Sequence, residues 1–271
     1  MSRYAVLTID GIKPQVLGLG VFRGSQRPIL SSTVDTIVTV PGMHGAYDFG
    51  AYMGPRQFDL ECAFVTKNSM ELQRRVSAFA AFLLGPDGRP RTMPVIFSND
   101  PAKFYMVRYT GDLQIDRVSG LGTFTLPFIA YDPWAYGKDS TAKLLTWDTD
   151  YSWDDGFAWS DGYSFDFRGP GTAEVNNIGT LEAEPVIQIT GSFSNLSLTM
   201  GGIQFTYNVP MDGLLDIDFK RKIVRYGGTQ NVLSNTNAKF GKLPPGTSNI
   251  IVGGTNLNIT MDVIFNFKYA A

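Results

Sequence analysis

FDLECAF, residues 58–64, alternates strictly: Phe58, Leu60, Cys62 and Phe64 fall on one side of an extended chain, and Asp59, Glu61 and Ala63 on the other. Successive side chains of a strand point to opposite faces, so this run reads as an antiparallel strand with one face buried. The same period recurs on either side of it. Phe104, Met106 and Arg108 alternate with Tyr105, Val107 and Tyr109, and Phe124, Leu126, Phe128 and Ala130 repeat the pattern until Asp132-Pro133 stops it. Leu257, Ile259, Met261, Val263, Phe265 and Phe267 mark a long last strand. Shorter strands are expected at 4–9, 15–22, 33–40, 185–190, 196–207 and 214–226. The chain is mainly β.

One segment has a different period. Leu72, Val76, Phe79, Ala80 and Leu83 fall at i, i+4, i+7, i+8 and i+11, a helical stripe. Asn68 supplies a cap with Glu71 three residues on, and Gly85-Pro86 supplies the stop, so a helix is expected over 69–84. Arg74, Arg75 and Ser77 lie off the stripe and face water or a partner. These elements divide the chain into an α+β block at 1–135, a β-sandwich or barrel-like sheet with one helix, and an antiparallel β-sandwich at 181–271. The stretch 136–180 between them reads as a linker or arm.

The counts narrow the function. The chain has 271 residues, 44% of them hydrophobic and 13% aromatic, enough for sizeable cores. Charged residues make up 18%, below the usual level of about 25%. Net charge is −2, which leaves no global basic field to hold nucleic acid. The only cysteine, Cys62, excludes an intrachain disulfide and a CxxC metal site, and the only histidine, His44, excludes His-rich zinc sites. The longest uncharged run, Pro185 to Met211, is full of Thr, Ser, Asn and Gly, which argues against a membrane span. Asp10 interrupts the apolar start, so no signal peptide is expected and the chain reads as made in a reducing cytosol.

Candidate sites weigh as follows. Trp147, Trp153, Trp159 and Phe165 recur every six residues, as do Tyr151, Phe157 and Tyr163, with Asp155-Gly156 and Asp161-Gly162 in step. Three readings stay open: an arm whose rings pack on protein, a platform that stacks on sugar, or a calcium site at Asp148, Asp150, Asp154, Asp155 and Asp161. His44 sits in a turn with no partner for base catalysis. Cys62 lies on the apolar strand face and reads as a core residue. Asp216 and Asp218, two apart on one strand face, form a weak glycosidase pair. Arg89, Arg91 and Lys103 read as a solvated edge, and the Gly201-Gly202, Gly227-Gly228 and Gly253-Gly254 pairs as hairpin turns. No phosphate-binding glycine motif exists. No catalytic, metal or cofactor site is expected, and the sequence points to a structural or binding protein.

The order of elements resembles that of the distal tail proteins (Dit) of long-tailed siphophages. The resemblance is carried by Leu7-Thr8-Ile9-Asp10-Gly11, VPGMHGAYDFG at 40–50, Gly54-Pro55-Arg56 before the Phe58 strand, Leu84-Gly85-Pro86 after the helix, and FTLPFIAYDPWAYG at 124–137. In the second block it is carried by Asn177-Ile178-Gly179, Glu184-Pro185-Val186-Ile187 and Gly191. The family implies a galectin-like second sandwich and a homo-hexameric ring at the tail tip of the virion. Such a ring is bound to the tail tube on one side and a hub protein on the other, with DNA passing through its channel without specific binding. It also implies outward sandwiches that can anchor receptor-binding proteins, and assembly in the host cytoplasm. A ring subunit needs two unlike patches. The helix stripe (Leu72, Val76, Phe79, Leu83) and the segment 33–56 (Met43, Tyr47, Phe49) are the expected halves of that interface. The alternative reading is a carbohydrate-binding adhesin using Trp147, Trp153 and Trp159.

Overall fold

The computed structural model describes residues 7–22, 25, 27–140 and 163–270. The chain divides into two compact units, one running to Tyr136 and taking Ala270 from the far end, the other running from Gly137 to Tyr269.

In the first unit, strands β1 (Leu7–Ile9), β2 (Leu19–Val21), β5 (Arg56–Val65), β6 (Met93–Phe97), β7 (Lys103–Tyr109) and β9 (Leu121–Ala130) form an antiparallel sheet in the order β1-β6-β7-β9-β5-β2. A short β8 (Asp116–Val118) folds onto β9. Two ten-residue strands organise the sheet: β5 and β9 pair without a break from Arg56 opposite Ala130 to Val65 opposite Leu121. That register sets Phe58, Leu60, Cys62 and Phe64 against Phe128, Leu126 and Phe124 on one buried face. Ala63, placed by the alternation on the outer face, is buried as well.

The helix α1 spans Ser69–Leu83. The Asn68 side chain accepts the Glu71 N–H at 2.9 Å, and the Glu71 carboxylate accepts the Lys67 N–H at 3.2 Å and pairs with Arg75 at 2.9 Å. The backbone bond from Lys67, then the Arg75 guanidinium, hold the Glu71 carboxyl below the ordinary carboxylate range. The stop differs from expectation. Leu84 leaves the helix in an extended conformation (φ −106°, ψ 148°) rather than through a left-handed glycine. Arg91 closes the end instead: its N–H reaches the Leu83 carbonyl at 2.9 Å and its guanidinium reaches the Phe82 carbonyl at 3.2 Å.

Strands β3 (Thr33–Val38) and β4 (Tyr47–Met53) form a two-stranded sheet of their own. Its register shifts between Asp35 and Ile37, where β4 carries one residue more than β3. Gly50 takes φ +99° there, and the Asp48 carboxylate accepts its N–H at 2.8 Å. A further strand, β10 (Ala135–Ser140), carries the chain into the second unit.

The second unit is a sandwich of two antiparallel sheets. One has the order β11-β20-β13-β16-β17-β18, from Ser164–Phe167 (β11), Asn258–Ile264 (β20), Val186–Phe193 (β13), Met211–Asp218 (β16), Ile223–Tyr226 (β17) and Gln230–Asn231 (β18). The other has the order β12-β19-β14-β15, from Gly171–Asn177, Gly246–Thr255, Asn195–Met200 and Ile203–Tyr207. Ile187, Ile189, Leu215, Ile217, Met261 and Val263 from the first sheet meet Ala173, Val175, Leu198, Phe205, Ile250 and Val252 from the second in one core. Alternation along each strand creates the two inner faces that define a β-sandwich.

Three expectations are corrected here. The sandwich begins before residue 181, because β11 and β12 lie inside the stretch expected to link the blocks, and Phe167, Ala173 and Val175 are core residues. The long last strand breaks at the buried Phe265, after which β21 (Asn266–Tyr269) starts. Gly253-Gly254 is not a turn but lies within β19, opposite Ser197 and Leu196. A Cβ on Gly254 would sit 2.3 Å from the Asn195 carbonyl oxygen, so the pairing itself requires glycine.

Candidate assembly interface

The β3–β4 hairpin is the least covered part of the described chain. Val34, Ile37, Val38, Tyr47, Phe49 and Tyr52 are all about half exposed or more, reaching 71% at Tyr52. Adjacent strand positions such as Ile37 and Val38 point to opposite faces, so the hairpin is apolar on both sides. An isolated two-stranded hairpin is marginally stable in water at best. This one extends as an arm whose surface is suited to being covered.

Its root is fixed. Ser32 accepts the Gly54 N–H at 2.7 Å, closing the neck of the arm. Behind it, the buried guanidinium of Arg56 donates to four backbone carbonyls: Pro28 at 2.7 Å, Ile29, Pro133 at 3.3 Å and Ala270 at 3.3 Å. It lies 4.9 Å from the Tyr105 ring centre and 5.7 Å from that of Phe58, a cation against two aromatic faces. Arg56 follows the arm in sequence and Pro28-Ile29 precede it, so one side chain ties both ends to the sheet.

On the same unit, an apolar cavity of about 220 Å³ opens beside the helix, lined by Phe64, Val76, Phe79, Ala80, Leu83, Leu84, Tyr109, Leu113, Ile115 and Phe124. Ala80 is exposed at its mouth, and Val76, Leu84, Leu113 and Ile115 are half-buried.

The expected interface residues separate into two groups. Leu72, Phe79 and Leu83 are 1–3% exposed and belong to the core of their own unit, so the helix stripe is not a free subunit face. The error has a simple source, since a stripe at helical spacing looks the same whether the helix docks on its own sheet or on a neighbour's. Val76 is half-buried at the cavity. Met43, Tyr47 and Phe49 are exposed on the arm or its tip. Two features escaped the sequence reading. The Arg56 clamp is built from carbonyls far apart in the chain, and the cavity arises only when the 113–115 segment folds against the helix.

The chemical candidates have structural roles or none. His44 is exposed in the arm's tip. Asp216 accepts a hydrogen bond from Gln188 at 2.8 Å, and Asp218 accepts the Arg221 N–H at 2.8 Å. Arg89, Arg91 and Lys103 pair with Asp87, Asp10 and Asp100. Among the described residues no cluster of His, Cys, Asp and Glu fits a metal ion, and no helix is long and apolar enough to cross a membrane. Trp147, Trp153, Trp159 and the acids at 148–161 lie outside the described residues. The last rings of that repeat are inside it and pack on protein: Tyr163 stacks on Phe265 at 6.0 Å and donates to the Asn176 carbonyl at 2.8 Å, and Phe165 packs against the sandwich core.

Cys62 is buried, and burial, followed by the Glu61 charge, pushes its thiol from 9.0 up to about 12. The native protein should therefore show no thiol reactive to a disulfide reagent at pH 8, with one appearing on denaturation. The unfolded thiol ionises near 9.0 while the folded one keeps its proton, so this group contributes nothing below pH 9 and costs stability as pH rises from 9 towards 12. A urea midpoint that falls less over that range in Cys62→Ala would check it.

Residues 13–130, within the first unit, match the family model of the phage tail protein RIFT-related domain. The chain is 28% identical over 112 residues to the distal tail protein of Bacillus phage SPP1, a match spanning 41% of this chain and 43% of that protein, under half of either. Its fold is similar to the crystal structure of SPP1 Dit, described as a paradigm of the hub adsorption apparatus of phages infecting Gram-positive bacteria. The two superpose with a TM-score of 0.69 over 97% of this chain and 98% of that one, at 16% identity. A chain of the phage P2 baseplate in its activated, calcium-bound conformation superposes less closely, with a TM-score of 0.41, 9% identity and coverage of 94% and 91%. The family match covers residues 13–130, under half of the chain, and the fold is shared with the SPP1 structure.

Proposed function

We propose that this protein is a structural subunit of a siphophage tail tip and that its copies close into a ring around a channel. On this reading the ring, six copies in the form the family implies, joins the tail tube to the hub of the adsorption apparatus. DNA passes through it without specific binding. The observation that carries the proposal is the match of residues 13–130 to a phage tail domain. The exposed arm supports it, because a ring subunit needs a patch its own fold leaves uncovered. The net charge of −2 supports it too, since a strongly basic lining would retain phosphates. The second sandwich is proposed as the outward unit that anchors receptor-binding proteins.

Light scattering and negative-stain images of the purified chain test the proposal. A closed ring with rotational symmetry is expected at micromolar concentration. A single chain with no ring in the images would overturn it. The adhesin alternative is not favoured: the comparisons point to tail structure, and Tyr163 and Phe165 pack on protein.

A further inference from the structure

We infer that Arg56 couples the seating of the β3–β4 arm to the two passages by which the chain leaves and re-enters the first unit, so that movement of those passages opens the neck of the arm. The coupling stands on the geometry of the first unit alone. Its consequence, that the second unit governs how the arm is presented for assembly, rests on the ring reading. The first argument is how the guanidinium is shared. Pro28, on the segment leading into the arm, accepts from Nε at 3.2 Å and from Nη2 at 2.7 Å, and Ile29 accepts from Nη2 as well. Nη1 instead holds the carbonyls of Pro133 and Ala270, each at 3.3 Å. Pro133 lies just before β10, by which the chain passes to the second unit, and Ala270 follows β21, by which it returns. The guanidinium is planar and rigid, so a pull on one set of bonds tilts the other.

The second argument is the cost of partial release. Arg56 is 3% exposed and forms no ion pair among the described residues, so its buried charge is offset by these four carbonyls and the two rings beside it. A buried cation that loses half its acceptors is strongly destabilised. It must follow the passages or admit water, and either response loosens its hold on Pro28 and Ile29. The third argument is that both sides of this joint are built to transmit. On the passage side, the Tyr136 hydroxyl donates to the Asp132 carboxylate and the Tyr136 ring stacks on Phe104 at 5.9 Å between centres, which stiffens the chain around Pro133. On the arm side, Ser31 stands next to the Ser32 carbonyl that closes the neck, and its buried hydroxyl has no hydrogen-bond partner among the described residues. Opening the neck would release that group to water, so the closed state is held against a local cost.

Hydrogen exchange of the full chain tests the coupling through Tyr136→Phe, which removes the bond to Asp132 and alters neither Arg56 nor the arm. The Gly54 N–H is expected to exchange about five times faster, the effect of one lost hydrogen bond felt at a distance. N–H groups in the middle of β5, such as that of Leu60, should keep their rates. The same substitution placed in Arg56→Met should add nothing at Gly54, because the joint is already cut. An unchanged rate at Gly54, an acceleration spread evenly along β5, or a full additional effect in Arg56→Met each overturns the coupling. Should Arg56→Met fail to fold, Tyr136→Phe decides alone. Wild-type protein found only as single chains overturns the ring reading and leaves the coupling to be judged by these rates.

Discussion

Phe79→Asp should abolish the folded first unit while the second survives. Phe79 is 3% exposed, with ring centres of Phe64 at 5.8 Å and Phe124 at 5.9 Å. Removing a buried phenylalanine costs about 3–5 kcal/mol, and a carboxylate left among those rings adds several more or must take up a proton. The stability of a whole domain is only about 5–15 kcal/mol. Limited trypsin digestion should then degrade the chain up to about Tyr136 and leave a resistant fragment holding the sandwich, whose core is built from its own strands. Phe79→Leu, which keeps most of the volume, should cost about 1–2 kcal/mol and digest like wild type. Native resistance in Phe79→Asp would show that the stripe does not face its own sheet.

Arg56→Met should be the next most damaging change. Methionine keeps the length and the apolar stem but donates nothing to the carbonyls of Pro28, Ile29, Pro133 and Ala270. Hydrogen bonds from a charged donor are worth about 1.5–3 kcal/mol each, and unsatisfied carbonyls add their own cost, so a net loss of about 3–5 kcal/mol is expected from urea unfolding. Arg56→Lys should recover little, because one ammonium cannot span a set of acceptors that the planar guanidinium reaches in several directions. The damage should also have an address. Amide exchange at Gly54, whose N–H closes the neck of the arm on Ser32, should speed up more than exchange in the middle of β5. Equal acceleration throughout would mean that Arg56 supports the sheet as a whole and not the arm.

How much of this was legible follows from how each signal is encoded. The strand at 58–64 and the helix at 69–84 carry their periods in consecutive residues, and the structure places both within a residue or two of expectation. Strands β4, β6, β8, β10, β11, β12, β18 and β19 were not foreseen. In β19, Ile250 and Val252 are its only buried residues, set among Ser, Thr, Asn and Gly, and pairing on both sides by β12 and β14 makes it a strand. In β6, Pro94 interrupts a five-residue run whose alternation of Met93, Val95 and Phe97 is too short to stand out. The interface was half legible. The apolar content of 33–56 could be read, but periodicity says only that Leu72, Phe79 and Leu83 are covered, not by which molecule. The clamp had no local signal. Nothing near Arg56 in sequence hints that residues 28, 133 and 270 bring their carbonyls to it.

The uncovered arm also sets a hazard for the free polypeptide. Among the described residues its two outer edges are unpaired, and both its faces are greasy, a combination that invites strand-to-strand sticking between any two copies that meet in the wrong register. Productive closure and disordered clumping therefore compete for the same surface. Slow synthesis at modest levels should yield soluble particles, whereas a burst of overproduction should drive this polypeptide into inclusion bodies.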